Sequence, residues 1–312
     1  MPELPEVETV RRGLDRFVVG RHIEEVEVGR ERTVRRTSRQ ALIDGLTGTS
    51  IVAAGRRGKY LLCPLDSGDS LMIHLRMTGQ LLLGLPGAAR PLHTHVVLHL
   101  VADEARRLDP AELWFVDART FGEMVVYDPD HVDVELPEVA KLGIDPLVDS
   151  PSPAELAEVL RRRGTRIKPL LLDQHVVAGI GNIYADEILH AAKLHPELPA
   201  SSLRSRDIGR LHAAMMRVLT ESIVAGGSTL KDFSYVDMMG EGGNYQDDHR
   251  VYGRAGERCL TCGRGVIRRY TSGGRATHFC PVCQRPRESP SPRATHRPRN
   301  DTESLGAGKS AS

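Results

Sequence analysis

The chain has 312 residues, 27% of them charged, and a formal net charge of +1, which is length enough for two or three domains with a sizeable core. Total charge therefore argues for no anionic partner; only its distribution can. No apolar run reaches the roughly 18 residues of a membrane helix, and the charged N-terminus lacks a signal peptide's apolar core, which points to the cytoplasm; in that reducing compartment five cysteines indicate metal or free thiols rather than disulfides.

The first six residues, Met1-Pro2-Glu3-Leu4-Pro5-Glu6, hold the first candidate chemistry. Removal of Met1 leaves Pro2 with a free secondary amine. An α-amino group has a pKa near ~8 against ~10.4 for lysine, so roughly a tenth of such amines are unprotonated at neutral pH. Attack on a carbonyl carbon gives an iminium, a strong electron sink. Glu3 and Glu6 lie within reach, one to carry protons and the other to hold the amine or the opened substrate. Alone, these six residues read more simply as a frayed terminus before a helix.

From 5 to about 19 the pattern is helical, with Val7, Val10, Leu14 and Phe17 at three- and four-residue steps. Pro5 suits a first helical position and Glu6 and Glu8 its first turn, so Pro2 is tethered ahead of a rigid element. Residues 22 to 135 read mostly as β, with short strands at 22–28, 50–54, 60–65, 70–75, 95–100, 112–116 and 122–127. Their spacing predicts an antiparallel sandwich or barrel. Cys63, in an apolar strand, is a buried structural thiol. The turns Arg56-Arg57-Gly58-Lys59, Arg76-Met77-Thr78-Gly79 and Asp117-Ala118-Arg119-Thr120-Phe121-Gly122 carry basic or bulky residues. Each reads as a solvated hairpin tip, or, with Met77 and Phe121 beside arginines, as groups that push between stacked bases.

Proline, aspartate and glycine accumulate into a linker at 136–150. Helices follow: one capped by Ser152 and ending at Arg161-Arg162-Arg163, one at 167–173, one at 184–192, and one from 205 to about 225, stopped by Gly226-Gly227. Gly179-Ile180-Gly181-Asn182 precedes a helix, where free N–H groups can hold a phosphate; it also reads as a plain corner. Residues 234–249 have three glycines and no apolar period, and predict a mobile loop. Next, Cys259-Leu-Thr-Cys262 and Cys280-Pro-Val-Cys283 stand seventeen residues apart. That is the spacing of a four-thiolate zinc site, which is closed and hence structural. The intervening segment reads as a hairpin turning at Ser272-Gly273-Gly274. From 250 to 285 there are eight arginines and one acid, Glu257, a one-sided patch that suits a phosphate backbone. The tail, 286–312, has a disordered composition.

Taken together and in order, Pro-Glu-Leu-Pro-Glu-Val-Glu-Thr at the start, Gly58-Lys59-Tyr60-Leu61, His74-Leu75-Arg76-Met77-Thr78-Gly79, Arg119-Thr120-Phe121-Gly122, Gly179-Ile180-Gly181-Asn182-Ile183-Tyr184-Ala185, Val251-Tyr252-Gly253-Arg254 and the four-cysteine hairpin resemble the bacterial formamidopyrimidine-DNA glycosylases, the 8-oxoguanine repair family, over residues 2–285. The resemblance implies an α+β multidomain chain: an N-terminal helix with an antiparallel β-sandwich (1–135), a helix–two-turn–helix domain (151–233), a lesion-capping loop (234–249) and a zinc hairpin (250–285). It implies a monomer with one zinc on Cys259, Cys262, Cys280 and Cys283, no nucleotide cofactor, and damaged double-stranded DNA in the interdomain cleft. The implied activity is excision of oxidised purines, then strand cleavage by β,δ-elimination. By the same match Pro2 is the Schiff-base nucleophile, Glu3 the proton donor and acceptor, Lys59 the donor for β-elimination, Arg275 that for δ-elimination, and Glu6 a supporting carboxyl. Met77, Arg119 and Phe121 fill the gap left by an extruded base. His74, His93, Arg163, Lys168, Asn182 and Tyr252 fall at DNA-contacting positions, His93 and Arg163 on looser local similarity.

Two departures bear on lesion choice. Gly243-Asn244-Tyr245-Gln246-Asp247-Asp248 stands where the family commonly has an aromatic pair after glycine, and Arg76 where glycine is common. An endonuclease VIII-like enzyme for oxidised pyrimidines shares the nucleophile, lysine and finger, but not Leu4-Pro5 or the Arg119/Phe121 turn. A non-catalytic damage binder leaves Pro2, Glu3, Lys59 and Arg275 without a purpose. A small-molecule enzyme with an N-terminal proline leaves the arginine-rich finger unexplained.

Overall fold

The computed structural model describes residues 1–29, 31–34, 36–230 and 235–286; beyond Pro286, the tail expected to be disordered lies outside them. The first helix, α1 (Leu4–Phe17), starts at Glu3 through a reciprocal capping box with Glu6. It buries Val7, Val10 and Leu14. Gly13, in its middle, leaves room for Met238: a Cβ there would stand 2.7 Å from the Met238 sulfur.

There follow β1 (Ile23–Val28), α2 (Arg39–Leu46), β2 (Gly55–Arg57), β3 (Tyr60–Pro64), β4 (Ser70–His74), β5 (Gly79–Gly84), β6 (Thr94–Leu100), β7 (Ala111–Asp117) and β8 (Glu123–Tyr127). The strands form two antiparallel sheets, β1-β6-β7-β5 and β2-β3-β4-β8, the sandwich that strand spacing predicts. Between them and α1 pack Ile23, Leu61, Ile73, Leu98 and Phe115, together with Cys63, buried as expected. Three details differ from expectation. Residues 50–54 make only isolated bridges, Ser50 to His22 and Ile51 to Leu65. The leucine run of β5 has no two-residue alternation; its pairing from Gly79–Asp117 to Gly84–Glu112 makes it a strand. The helix α2 sits inside the stretch read as β, although its signals are ordinary: Ser38 accepts from the Ala41 N–H, and Leu42 and Leu46 are buried four residues apart.

Two short turns, α3 (Val132–Glu135) and α4 (Pro137–Ala140), lead to α5 (Pro153–Arg161), α6 (Ile167–Leu172), α7 (Asn182–Ala191) and α8 (Ser205–Val224). Their core joins Leu156, Ile167, Tyr184, Ile188, Leu211 and Met215 to Leu4 of α1, so the first residues are bound into the helical half. Residues 136–150 are not a loose linker. Leu136 and Val139 are buried, and Asp145 is fully so. Residues 235–249 are tied down at several points, while 239–242 stay exposed: the Tyr235 hydroxyl donates to the Gly226 carbonyl, Met238 is buried, and Tyr245 begins a 3-10 turn with its ring 5.9 Å from that of Tyr184. Finally β9 (Arg268–Ser272) and β10 (Arg275–Phe279) make the expected hairpin around Gly273-Gly274. Among the described residues no helix is long and apolar enough to cross a membrane.

Candidate active site

The start of α1 is held against the start of α7. The Glu3 carboxylate accepts the N–H groups of Gly181 (2.9 Å), Ile183 (3.0 Å) and Tyr184 (3.3 Å). The glycine-rich turn before α7 is therefore an anion site, one of the two readings its sequence allows, but its anion is the chain's own carboxylate rather than a phosphate. Gly181 is required by that approach, since a Cβ there would lie 2.2 Å from the Glu3 carboxyl carbon. Glu6 is buried one turn later. It accepts the Glu3 N–H (2.8 Å), the Ser228 N–H (2.8 Å) and the Tyr184 hydroxyl. Burial, and then the charge of Glu3, push the Glu6 carboxyl above the usual range.

Lys59 follows the tight turn between β2 and β3. Gly58, at φ +58°, donates its N–H to Asp145 (2.7 Å), and the same carboxylate takes both ends of the Arg56 guanidinium (2.6 and 3.1 Å). Asp145, in the stretch expected to be a linker, thus fixes the turn that presents Lys59. The lysine is only 6% exposed. Burial lowers its pKa, Glu3 opposes that shift, and Arg275 adds to it. Arg275 itself begins β10. Behind it the hairpin is tied to the helices: Lys168 Nζ donates to the Ala276 carbonyl (2.8 Å) and the Thr277 hydroxyl (3.0 Å) and pairs with Asp186 (2.7 Å). Asp186 also accepts the His278 N–H (2.8 Å). Lys168, expected among nucleic-acid contacts, is buried behind the hairpin with its ammonium committed there.

These elements surround a cleft of about 630 Å3, lined among others by Met1, Glu3, Lys59, Asn182, Tyr252 and Arg275. The Asn182 side-chain oxygen is buried with no hydrogen-bond partner among the described residues. Tyr252 is held by Glu187, which accepts the N–H groups of Arg250, Val251 and Tyr252 at 2.8–2.9 Å. His74 and Met77 also line the cleft. Burial and the nearby charges of Arg76 and Lys59 hold His74 well below its usual pKa, so its ring is neutral; its Nδ1 accepts the Arg76 N–H (2.9 Å). Arg119 reaches the Met77 sulfur at 3.8 Å, and Phe121, two residues on, is exposed with the Arg32 guanidinium 6.0 Å from its ring centre. Asp117 frames both turns. Its carboxylate accepts the Thr78 hydroxyl (2.5 Å), the Arg119 N–H (3.1 Å) and the Gly122 N–H (2.7 Å). His93 is exposed at φ +69°, its carbonyl taking the Asp117 N–H. Arg163 is exposed beyond α5 and does not line the cleft.

Asp117, Asp145, Asp186 and Glu187 are the residues that sequence reasoning missed. Adjacent acids in the otherwise apolar α7 are a usable signal for the last two; the other two look like ordinary loop aspartates.

The four cysteines come together at the base of the hairpin. Cys259–Cys283 and Cys262–Cys280 sulfurs are each 3.8 Å apart, and all four lie within 4.8 Å. A tetrahedron with ~2.3 Å zinc–sulfur bonds has edges of ~3.8 Å, whereas a disulfide needs ~2.05 Å. The Gly265 and Cys283 N–H groups donate to the Cys262 and Cys280 sulfurs. The donor set fits one closed tetrahedral thiophilic ion.

Comparison with known proteins agrees with this geometry. Residues 1–124 match the formamidopyrimidine-DNA glycosylase N-terminal domain and residues 142–234 the formamidopyrimidine-DNA glycosylase H2TH domain. The chain is 41% identical over 285 residues to a formamidopyrimidine-DNA glycosylase of Pelotomaculum thermopropionicum, covering 91% of this chain and 99% of that one. The fold superposes with a TM-score of 0.80, at 37% identity, on Lactococcus lactis Fpg bound to DNA with an abasic site, covering 91% of this chain and all of that one. A second L. lactis complex, with DNA carrying an oxidised pyrimidine, gives 0.80 at 38% identity and the same coverage.

Proposed function

The chain belongs to the formamidopyrimidine-DNA glycosylase family, and from that premise we propose that it excises oxidised purines from duplex DNA and cuts the strand at the resulting abasic site, working from the nitrogen of Pro2. The observation that carries this reading is the convergence of Met1, Glu3, Lys59 and Arg275, from three separate elements, on one cleft. Loss of Met1 opens the Pro2 nitrogen to that space. Its lone pair attacks C1′ of a nucleotide drawn out of the stack and displaces the base. The resulting iminium acidifies the C2′ hydrogen, so the 3′ phosphate leaves, and a second elimination releases the 5′ phosphate. Glu3, seated on the N–H groups of α7, moves protons at the sugar. Lys59 and Arg275 stabilise the leaving phosphate oxygens. Met77, Arg119 and Phe121 occupy the space vacated by the nucleotide, and Asn182, Tyr252, His93 and Arg163 steady the strand. Asp117 positions the first three.

Zinc on Cys259, Cys262, Cys280 and Cys283 supplies no chemistry; it closes the hairpin that carries Arg275. The domains are read as 1–135, 151–233 and 250–285, acting as a cytoplasmic monomer. Cleavage of 8-oxoguanine:C duplexes compared with thymine-glycol duplexes tests the lesion class. Faster cutting of the first is expected; preference for the second turns the reading to an endonuclease VIII-like enzyme. Tight binding to both without cutting leaves only a damage binder.

A further inference from the structure

A row of buried polar groups runs inward from Glu6. The Tyr184 hydroxyl meets Glu6 Oε1, lies 3.3 Å from the Ser228 hydroxyl, and that hydroxyl lies 3.1 Å from His249 Nε2. All four residues are buried. The Tyr252 backbone lies close enough to the His249 ring to favour a hydrogen on the ring nitrogen that faces it, since it raises the ring's pKa. Glu6 and Pro2 face one small void of about 10 Å3, so the row ends beside the proline.

Counting hydrogens shows what the row does. It has three links, and its two hydroxyls supply one hydrogen each. With His249 Nε2 bare and Glu6 ionised, the Tyr184 hydrogen goes to Glu6 and the Ser228 hydrogen to either neighbour, so one link stays empty; only the other tautomer, with its hydrogen on Nε2, would fill it. With Glu6 protonated, the hydrogens run Glu6 to Tyr184, Tyr184 to Ser228 and Ser228 to His249, and every link is filled. The second arrangement needs His249 neutral with Nε2 bare. Its ring nitrogen toward Tyr252 carries the other hydrogen, and burial lowers the His249 pKa to about 4. We propose that Ser228 and His249 are positioning residues that set the direction of this row and thereby keep the proton of Glu6 beside the Pro2 nitrogen. The groups facing the two ends are few. Glu3, Lys59, Tyr235 and the terminal amine act on Glu6. The Tyr245 and Tyr252 rings, Asp248 and His278 face His249, and Arg254 bonds its carbonyl.

Without the imidazole the balance reverses. The ionised form then fills both remaining links, while the protonated form leaves the Ser228 hydrogen with no acceptor. The midpoint of Glu6, followed by carbon-13 carboxyl NMR on the full chain and assigned with Glu6→Gln, should fall by about one pH unit in His249→Leu, the size one net hydrogen bond carries. His249→Gln, whose amide oxygen can accept from Ser228, should restore it. Ser228→Ala should lower the midpoint as well, and the double variant no further than either single one. Should His249→Leu not fold, Ser228→Ala still decides. An unchanged midpoint in a folded variant, or fully additive shifts, overturns the proposal. The catalytic consequence rests on Pro2 being the nucleophile. A shifted midpoint with an unshifted pH profile of base excision therefore upholds the row and removes Glu6 from the reaction.

Discussion

Lys59 sits between two opposing influences, the carboxylate of Glu3 and the guanidinium of Arg275, in a site nearly closed to water. Because burial and Arg275 both lower its pKa, removing the guanidinium raises it. In Arg275→Gln the basic limb of β-elimination, scored by the first cleavage product alone, should move to higher pH; a limb that stays put assigns it to another group. The same shift has a stability sign. The folded state binds fewer protons than the unfolded chain between the lowered Lys59 value and the ordinary one near 10.5, so this contribution rises with pH across that window. Pro2→Gly should slow or abolish excision, measured as single-turnover base release, and acetylation of the terminal amine should do the same. At this scale much was legible. The four cysteines follow from residue type and spacing, and the reactive amine of Pro2 beside two carboxylates was one of two readings of the first six residues, whereas the role of Lys59 came only with the family resemblance. The seat of Glu3 was not legible: Gly179-Ile180-Gly181-Asn182 allows an anion without saying that the anion is part of the same chain.

Among the elements, the β2–β3 turn depends on a carboxylate far away in sequence. Asp145 holds the Arg56 guanidinium and the Gly58 N–H with no exposure to solvent. Asp145→Ala leaves the buried Arg56 guanidinium with Glu8 as its remaining carboxylate (3.2 Å) and removes the acceptor of the Gly58 N–H, and should destabilise the fold by about 3 kcal/mol in denaturant titration while lowering β-elimination through a looser Lys59. Loss of less than about 1 kcal/mol, the worth of a surface pair, contradicts that account. The sequence marks 136–150 as a linker through its prolines, aspartates and glycine, but that composition reveals neither the short helix α4 nor that one aspartate is a core residue. For α2 the reverse holds. Its cap and its leucine pair were readable, and the β character of the flanking segments concealed them. In β5 three successive leucines carry no period, and only pairing with β7 decides their conformation.

Across the whole molecule α7 gathers the parts. Its N-terminus holds Glu3, Tyr184 reaches Glu6, Asp186 anchors β10, Glu187 anchors the Tyr252 segment, and His190 lies 3.6 Å from the Cys259 sulfur. One helix therefore ties together the parts of the cleft contributed by the N-terminus, the Tyr252 segment and the hairpin of Arg275, and the β2–β3 turn brings Lys59 to them. Around the hairpin, arginines 258, 264, 268, 269 and 275 are exposed with few acids to offset them. Cys262→Ala, or removal of metal by a chelator, should weaken binding to abasic duplex DNA and flatten its salt dependence, because the hairpin's phosphate contacts are lost. Unchanged affinity in the metal-free protein refutes a structural role for the site in binding. The most direct test of the central claim is borohydride trapping on abasic DNA followed by identification of the modified peptide. The account predicts a peptide that begins at Pro2, without Met1, carrying the sugar on its terminal nitrogen. A sugar found on Lys59 or another lysine, or efficient strand cutting by protein that keeps Met1, would contradict it.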